Sequence, residues 1–284
     1  MFCWSSAASP GAARPARGAG FGVQALTGDE ARRLEPALSP AVRSAVLVGR
    51  DHRVDNRLLG EAVWRAAQAD GVEFRLGAAV RSIRTSGGSE ARFEAVTLED
   101  GTSIEGECVV IAGGAWSALL EGLPRPLPVQ PVRGQMFAVE SPVERGPTPN
   151  GLLERVVEAP ACYIIPRASG RVLVDATAER AGFEPGPTPA GLRSLIEPAL
   201  RVLPALAHLP VAEAWAGYRP GTPDGLPILG PDPEVHGVWY ATGHFRNGVL
   251  LAPVTADVIA GAIDGEAAPA DIRAFRPDRF REVS

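Results

Sequence analysis

The feature that most constrains the fold of this chain is a strand, a polar loop and a helix in succession near its C-terminal end. Val238–Thr242 is a short apolar run typical of a strand, residues 243–248 form a glycine-bounded loop, and residues 249–263 form a largely apolar helix. A helix that follows a glycine loop presents free N–H groups and the positive end of its dipole. The pattern therefore indicates an α/β fold with a nucleotide site at this loop.

A second apolar segment supports a parallel sheet. Residues 108–112 are continuously apolar and are followed at once by Gly113 and Gly114, which predicts a buried parallel strand that ends in a tight turn. Upstream, Asp55 and Asn56 offer an N-cap for a helix over residues 57–70 with apolar positions on one face.

The middle of the chain differs in character from both ends. A Pro-rich stretch over residues 124–131 marks a crossing between domains, and the strands that follow are separated by turns, which predicts an antiparallel sheet with one helix. We therefore assign residues 51–122 and 218–284 to a nucleotide-binding part and residues 123–217 to a second domain. Residues 1–20 are small and without periodicity, so we expect them to be disordered.

Composition excludes several classes of protein. Of 284 residues, 45% are hydrophobic and 21% are charged, and the formal net charge is -5, which disfavours a nucleic-acid partner. No apolar run approaches the roughly 20 residues needed to span a bilayer. Cys3, Cys108 and Cys162 are too far apart for a metal site or a disulfide framework, so no metal is expected and a reducing cytoplasm fits.

The glycine-rich fingerprint of dinucleotide binding is absent from these 284 residues. The nearest candidate, Gly18, Gly20 and Gly22, has the wrong spacing and no strand before it. A Rossmann-like part without this loop would hold a pyrophosphate poorly, because the loop and the helix after it normally supply the N–H donors.

Three clusters place Arg or Tyr among apolar and glycine residues, where a solvated charge is not expected. They are residues 162–167 (CYIIPR), 215–225 (WAGYRPGTPDG) and 243–253 (GHFRNGVLLAP). The last two together resemble the C-terminal signature of the glycine oxidases of thiamine biosynthesis, within the FAD-dependent D-amino-acid oxidase superfamily. The resemblance runs from about Thr27 to Phe275 and lacks the family's N-terminal third. Asp175 stands where the family pattern has a glycine.

The resemblance implies FAD as the cofactor and assigns roles to individual residues. Arg219 is implied to bind the substrate carboxylate, because a guanidinium fork matches a carboxylate bidentately; the alternative is a structural Arg that braces the turn at Pro220. Arg246 is implied to lie beside the flavin near that carboxylate; alternatively, it caps carbonyl groups of its own loop. Tyr163 is implied to donate its hydroxyl at the same pocket; alternatively, it is a half-buried packing residue of its strand. No side chain is expected to act as an acid or base. Implied flavin contacts, mostly through the backbone, are Val80, Gly113, His244, Phe245, Arg246, Asn247, Gly248, Val249 and Leu250.

The expected activity is oxidation of glycine, small amines or D-amino acids to the imine, with O2 reduced to H2O2, feeding thiamine thiazole synthesis. Such an enzyme acts by positioning the amino acid over the flavin. Three alternatives stay open: a truncated or partner-dependent fragment without activity, a sarcosine oxidase, or a D-amino-acid dehydrogenase. The expected partners are the small-molecule substrate and O2, with neither nucleic acid nor membrane, and a homo-oligomer is compatible with the sequence.

Overall fold

The computed structural model describes residues 2–4, 22–88, 90–141, 146, 151–266 and 269–280. In this part of the chain the strands are β1 (Phe2–Trp4), β2 (Val23–Thr27), β3 (Ser44–Val48), β4 (Val80–Thr85), β5 (Phe93–Leu98), β6 (Ser103–Glu105), β7 (Val109–Ile111), β8 (Gln130–Glu140), β9 (Val157–Ala159), β10 (Cys162–Pro166), β11 (Arg171–Asp175), β12 (Val211–Gly221), β13 (Ile228–Pro231) and β14 (Val238–Thr242). The α-helices are α1 (Gly28–Leu34), α2 (Asn56–Ala69), α3 (Pro189–Val202) and α4 (Gly248–Ile263).

The described residues form two compact units. Unit 1 draws on residues 1–62, 134–179 and 184–217, and unit 2 on residues 63–133, 180–183 and 218–284. The sequence analysis placed the start of the second domain at 122/123, eleven residues before the boundary at 133/134. It gave residues 51–62 to the nucleotide-binding part, whereas they belong to unit 1, and it left residues 21–50 unassigned.

Unit 1 is built on a sheet of eight strands in the order β12-β8-β11-β10-β9-β1-β3-β2. Strands β8 to β11 pair antiparallel along this order, as the sequence predicted for the middle of the chain. The apolar side chains of alternate sheet residues, such as Ile164 and Val174, pack with Leu195 and Ala199 of α3 in one buried cluster. This alternation is the period of two that one buried sheet face requires.

The N-terminal strands were not foreseen in this sheet. β1 pairs antiparallel with β3 and parallel with β9, and β2 pairs antiparallel with β3. The expectation of disorder over residues 1–20 is therefore wrong at Phe2–Trp4, where backbone pairing on both sides fixes the chain; Met1 and residues 5–20 lie outside the described residues.

Helix α2 forms where the sequence predicts it, but its apolar face is not buried. The Asp55 carboxylate accepts from the backbone N–H groups of Arg57 and Leu58 at 3.1 and 3.3 Å, which caps the helix. No residue of α2 is buried, and Leu58 and Val63 are 64% and 60% exposed. No described residue therefore covers the apolar face of this helix.

Unit 2 contains two small sheets. β4, β5 and β6 form an antiparallel meander, and β13-β14-β7 form a mixed sheet in which β14 and β7 run parallel. Tyr240 and Ile228 are fully buried between them. The parallel strand predicted over residues 108–112 is confirmed, but Val110 is 39% exposed because β7 lies at the edge of its sheet as described.

A buried ion pair fixes the turn between β13 and β14. The Asp232 carboxylate accepts from Arg125 Nε at 2.7 Å and from the Tyr240 hydroxyl at 2.9 Å. Burial raises the pKa of Asp232, but the hydrogen bonds from Arg125, the Glu234 N–H and Tyr240 outweigh it, and the net pKa lies below the usual value. The carboxylate is therefore ionised and braces the turn that leads into β14.

Candidate functional site

The loop between β14 and α4 has a constrained backbone. Gly243 has φ +77°, and a Cβ there would lie 2.8 Å from Thr222 Cγ2, so only glycine fits. Phe245 has φ +49°, a left-handed conformation that is uncommon for a bulky residue. Its N–H donates to the carbonyl oxygen of Pro220 at 3.0 Å, which compensates this conformation. Backbone strain of this kind concentrates at functional sites.

The same hydrogen bond connects the loop to the strand that carries Arg219. Pro220 directly follows Arg219 in β12, which is half-buried along this stretch. Arg246, one residue beyond Phe245, is exposed and has no ion pair or hydrogen bond with any residue that the structure describes. Arg219 and Arg246, two of the three candidate substrate-binding residues, therefore each lie next to one end of this backbone hydrogen bond in unit 2.

Helix α4 begins at Gly248 without a side-chain cap. Asn247 at the N-cap makes no capping hydrogen bond, and the N–H of Leu251 is the first to find a helical acceptor, the carbonyl of Asn247 at 2.9 Å. Among the described residues, the N–H groups of Gly248, Val249 and Leu250 have no acceptor. Such a helix end attracts negative charge.

His244 holds the loop against the helix. Its Nε2 lies 3.0 Å from the Thr255 hydroxyl in the second turn of α4. Burial lowers the pKa of His244, so the imidazole is neutral near pH 7. This geometry supports the interpretation that His244 is a structural part of the loop and not a general base.

Val80 and Gly113 line one cavity in unit 2, about 640 Å³ in volume. Its walls come from the start of β4, from β7 and from the turn after β7, with Val110 and Trp116 among the lining residues. Two of the residues implied to contact the cofactor are thereby brought together although 33 positions separate them in the sequence. The wall is mostly apolar, as is usual for pockets that take small molecules.

Two hydroxyls that the sequence analysis missed fix the glycine turn beside this cavity. Ser117 Oγ donates to Thr242 Oγ1 at 2.9 Å, and Thr242 Oγ1 donates to the Gly114 carbonyl at 3.0 Å. Both side chains are fully buried. Because Thr242 ends β14 and Gly114 follows β7, the two hydroxyls hold the turn against the neighbouring strand. Thr242 had a sequence signal, as a hydroxyl residue at the end of an apolar run, whereas Ser117 lies five residues beyond the run 108–112 and had none.

Tyr163, the third candidate substrate residue, belongs to unit 1. It is half-buried in β10, opposite Asp175 of β11 and Glu158 of β9. Burial raises the pKa of the Tyr163 hydroxyl, and the negative charges of Asp51, Glu158 and Asp175 raise it further. The hydroxyl therefore stays protonated near pH 7 and is available as a hydrogen-bond donor, since no described residue bonds to it.

The described residues lack two features. They contain no group of three or more His, Cys, Asp or Glu that could hold a metal ion. They also contain no helix whose length and apolar character would suffice to cross a membrane.

Comparison with known proteins gives consistent matches. Residues 5–262 match the family model described as FAD dependent oxidoreductase. The chain is 40% identical over 231 residues to the bifunctional protein ThiO/ThiG of Synechocystis sp., covering 81% of this chain and 33% of that protein. It is 35% identical over 264 residues to glycine oxidase of Bacillus licheniformis, covering 92% and 68%.

A solved structure agrees with these matches. The crystal structure of glycine oxidase from Geobacillus kaustophilus superposes with a TM-score of 0.86 at 31% identity, and the match covers 99% of this chain and 74% of that one. The chain thus spans a third of the length of ThiO/ThiG and about three quarters of the solved glycine oxidase.

Proposed function

Because this chain belongs to the family of FAD-dependent oxidoreductases, we propose that its protein oxidises glycine, and other small amines that carry a carboxylate, such as D-amino acids, to the imine while O2 is reduced to H2O2. The imine feeds thiazole synthesis for thiamine, and the reaction takes place in the cytoplasm. The similarity to proteins named ThiO/ThiG and glycine oxidase supports the substrate class. Cys108 and Cys162 are free thiols, which is consistent with a reducing compartment.

One observation carries the proposal: an uncapped helix start follows a strained loop that is bonded to the strand of Arg219. The residues present fit a flavin there. The N–H groups of Gly248, Val249 and Leu250 face no described acceptor, and they would stabilise negative charge on a flavin ring bound at this helix end. Bound FAD supplies the hydride acceptor. Val80 and Gly113, which line one cavity, would hold another part of the cofactor.

The chain's side chains act by binding and orientation. The Arg219 guanidinium binds the substrate carboxylate through a two-pronged, charge-assisted hydrogen bond. Arg246 adds a second positive charge beside the flavin, and the protonated Tyr163 hydroxyl donates a further hydrogen bond. Together they direct the α-carbon hydrogen towards the flavin, so that the rate enhancement comes from positioning. His244 stays neutral and takes no proton.

The test is a stoichiometric assay on the FAD-loaded protein. We expect glycine to be consumed with one H2O2 formed per molecule, and the activity to require a free carboxylate on the substrate. Glycine oxidation without peroxide points to another electron acceptor, as in a D-amino-acid dehydrogenase. Preference for the N-methylated amino acid over glycine points to a sarcosine oxidase. Either result contradicts the proposal.

A further inference from the structure

Three aromatic side chains from distant parts of the sequence form one cluster in unit 2. The ring centroids of Trp116 and Phe183 are 5.3 Å apart, those of Trp116 and Tyr218 are 5.7 Å apart, and those of Phe183 and Tyr218 are 5.4 Å apart. The Trp116 and Tyr218 rings meet edge to face at 87°. Such pairs contribute about 0.5–1.5 kcal/mol each beyond the area they bury.

The cluster anchors a short segment of chain. Residues 180–183 belong to unit 2, whereas Glu179 before them and Glu184 after them belong to unit 1. The Tyr218 hydroxyl donates to the Phe183 carbonyl at 3.1 Å. Among the described residues, no other hydrogen bond reaches residues 180–183. The segment is therefore held to unit 2 by Tyr218 and by the two ring contacts of Phe183.

The same cluster adjoins both parts of the candidate site. Tyr218 directly precedes Arg219 in β12, so any shift of Tyr218 moves the backbone of Arg219. Trp116 lines the cavity that contains Val80 and Gly113, and its side chain is 52% exposed. Tyr218 is thus the point where the segment, the cofactor cavity and the Arg219 strand meet.

We propose that Tyr218 is a positioning residue, which anchors residues 180–183 through its hydroxyl and its ring and thereby keeps Arg219 oriented towards the substrate carboxylate. The role of Arg219 in this statement rests on the proposed function. The anchoring of the segment does not, so the two can be tested separately. Tyr218→Phe removes the hydrogen bond and keeps the ring, and Tyr218→Ala removes both.

Limited proteolysis of the 284-residue chain tests the anchoring. Arg180 is exposed within the segment, and trypsin cleaves after Arg. We expect cleavage after Arg180, relative to cleavage at the exposed Arg53 in unit 1, to rise about fivefold in Tyr218→Phe, because the population of the open segment increases. Tyr218→Ala should exceed this. Ser194→Ala, which also removes one hydroxyl bond to a backbone carbonyl, is the matched control and should leave the ratio unchanged.

Steady-state kinetics of the FAD-loaded protein test the positioning. In Tyr218→Phe we expect KM for glycine to rise about fivefold with kcat nearly unchanged, since substrate affinity is weakened and the chemistry is not. Wild-type cleavage at Arg180 in both Tyr218 variants overturns the anchoring. An unchanged KM in Tyr218→Phe, when Arg219→Ala does impair glycine oxidation, overturns the positioning alone. An unimpaired Arg219→Ala overturns the proposed function and this role with it, while the proteolysis result still decides the anchoring.

Discussion

At the scale of single residues, the proposed function depends most on Arg219. We expect Arg219→Ala to lower kcat/KM for glycine by roughly two to three orders of magnitude, because deleting one partner of a desolvated charge pair costs several kcal/mol. Arg219→Lys should recover part of the loss, since an ammonium cannot reproduce the fork. The measurement is steady-state kinetics, with Arg193→Ala on the exposed face of α3 as the control. A wild-type KM and kcat in Arg219→Ala would leave Arg219 as a structural brace.

His244 gives a second expectation at this scale, in the pH dependence of stability. Its pKa is lowered in the folded protein, so the unfolded chain binds a proton more readily. Stability from the neutral, bonded imidazole is therefore complete above the ordinary pKa of about 6.5 and is lost as the pH falls from there towards the folded pKa.

Thermal unfolding between pH 7 and pH 5 checks this expectation. Wild type should lose more stability over this interval than His244→Asn, which has no titrating ring. His208→Asn, at an exposed position, should behave like wild type. A His244→Asn protein with the same pH dependence as wild type would show that the ring is not buried in its neutral form.

At the scale of elements, the turn after β7 depends on Thr242. Replacing it with Val keeps the shape and removes both hydrogen bonds that lock Gly114 and Ser117 to β14. We expect a loss of about 2–3 kcal/mol in the free energy of unfolding, because buried polar groups are left without partners. Urea denaturation measures it, with the exposed Ser103→Ala as control. A loss below about 0.5 kcal/mol contradicts the account.

The elements that carry the site could be read from the sequence, and the reasons are local. The strand, loop and helix around residues 243–248 and the Asp55 cap of α2 follow from period and capping chemistry, which act over a few residues. The left-handed Phe245, the His244–Thr255 contact and the Trp116–Phe183–Tyr218 cluster could not be predicted, because each depends on segments that meet only in the folded chain. The position of Trp116 in the wall of the cavity that Val80 and Gly113 line likewise has no local signal in the sequence.

Helix α2 shows that a local pattern can predict a helix correctly without predicting how the helix packs. Its apolar positions fall on one face, yet Leu58 and Val63 are exposed. Periodicity therefore indicates which face of a helix is apolar, and not whether the described residues cover that face.

At the scale of the whole molecule, the free side of β7 should make the chain associate. Within the described residues, β7 is an edge strand of its sheet, and Val110 on it is exposed. An unpaired apolar edge strand is a template for pairing with a strand of another molecule. We expect the 284-residue chain to elute in gel filtration at a size that grows with concentration, and Val110→Lys to shift it towards the monomer. Leu76→Lys, at another exposed apolar position, is the control. A concentration-independent monomer of the wild-type chain would contradict this expectation.

Cofactor affinity is a second property of the whole molecule. These 284 residues contain the contacts implied for the flavin ring but no glycine-rich pyrophosphate loop. We therefore expect FAD to bind this chain weakly, as measured by quenching of flavin fluorescence. Tight, stoichiometric binding would mean that the cavity at Val80 and Gly113 holds the pyrophosphate by other means.

The central claim is that this protein recognises an amino acid by its carboxylate and oxidises it with FAD. The most direct measurement is the visible absorbance of the FAD-loaded protein in the absence of oxygen, after addition of glycine or of methylamine, which lacks the carboxylate. We expect glycine to bleach the flavin rapidly and methylamine at the same concentration to leave it oxidised. Bleaching at equal rates by both amines, or by neither, would contradict the account.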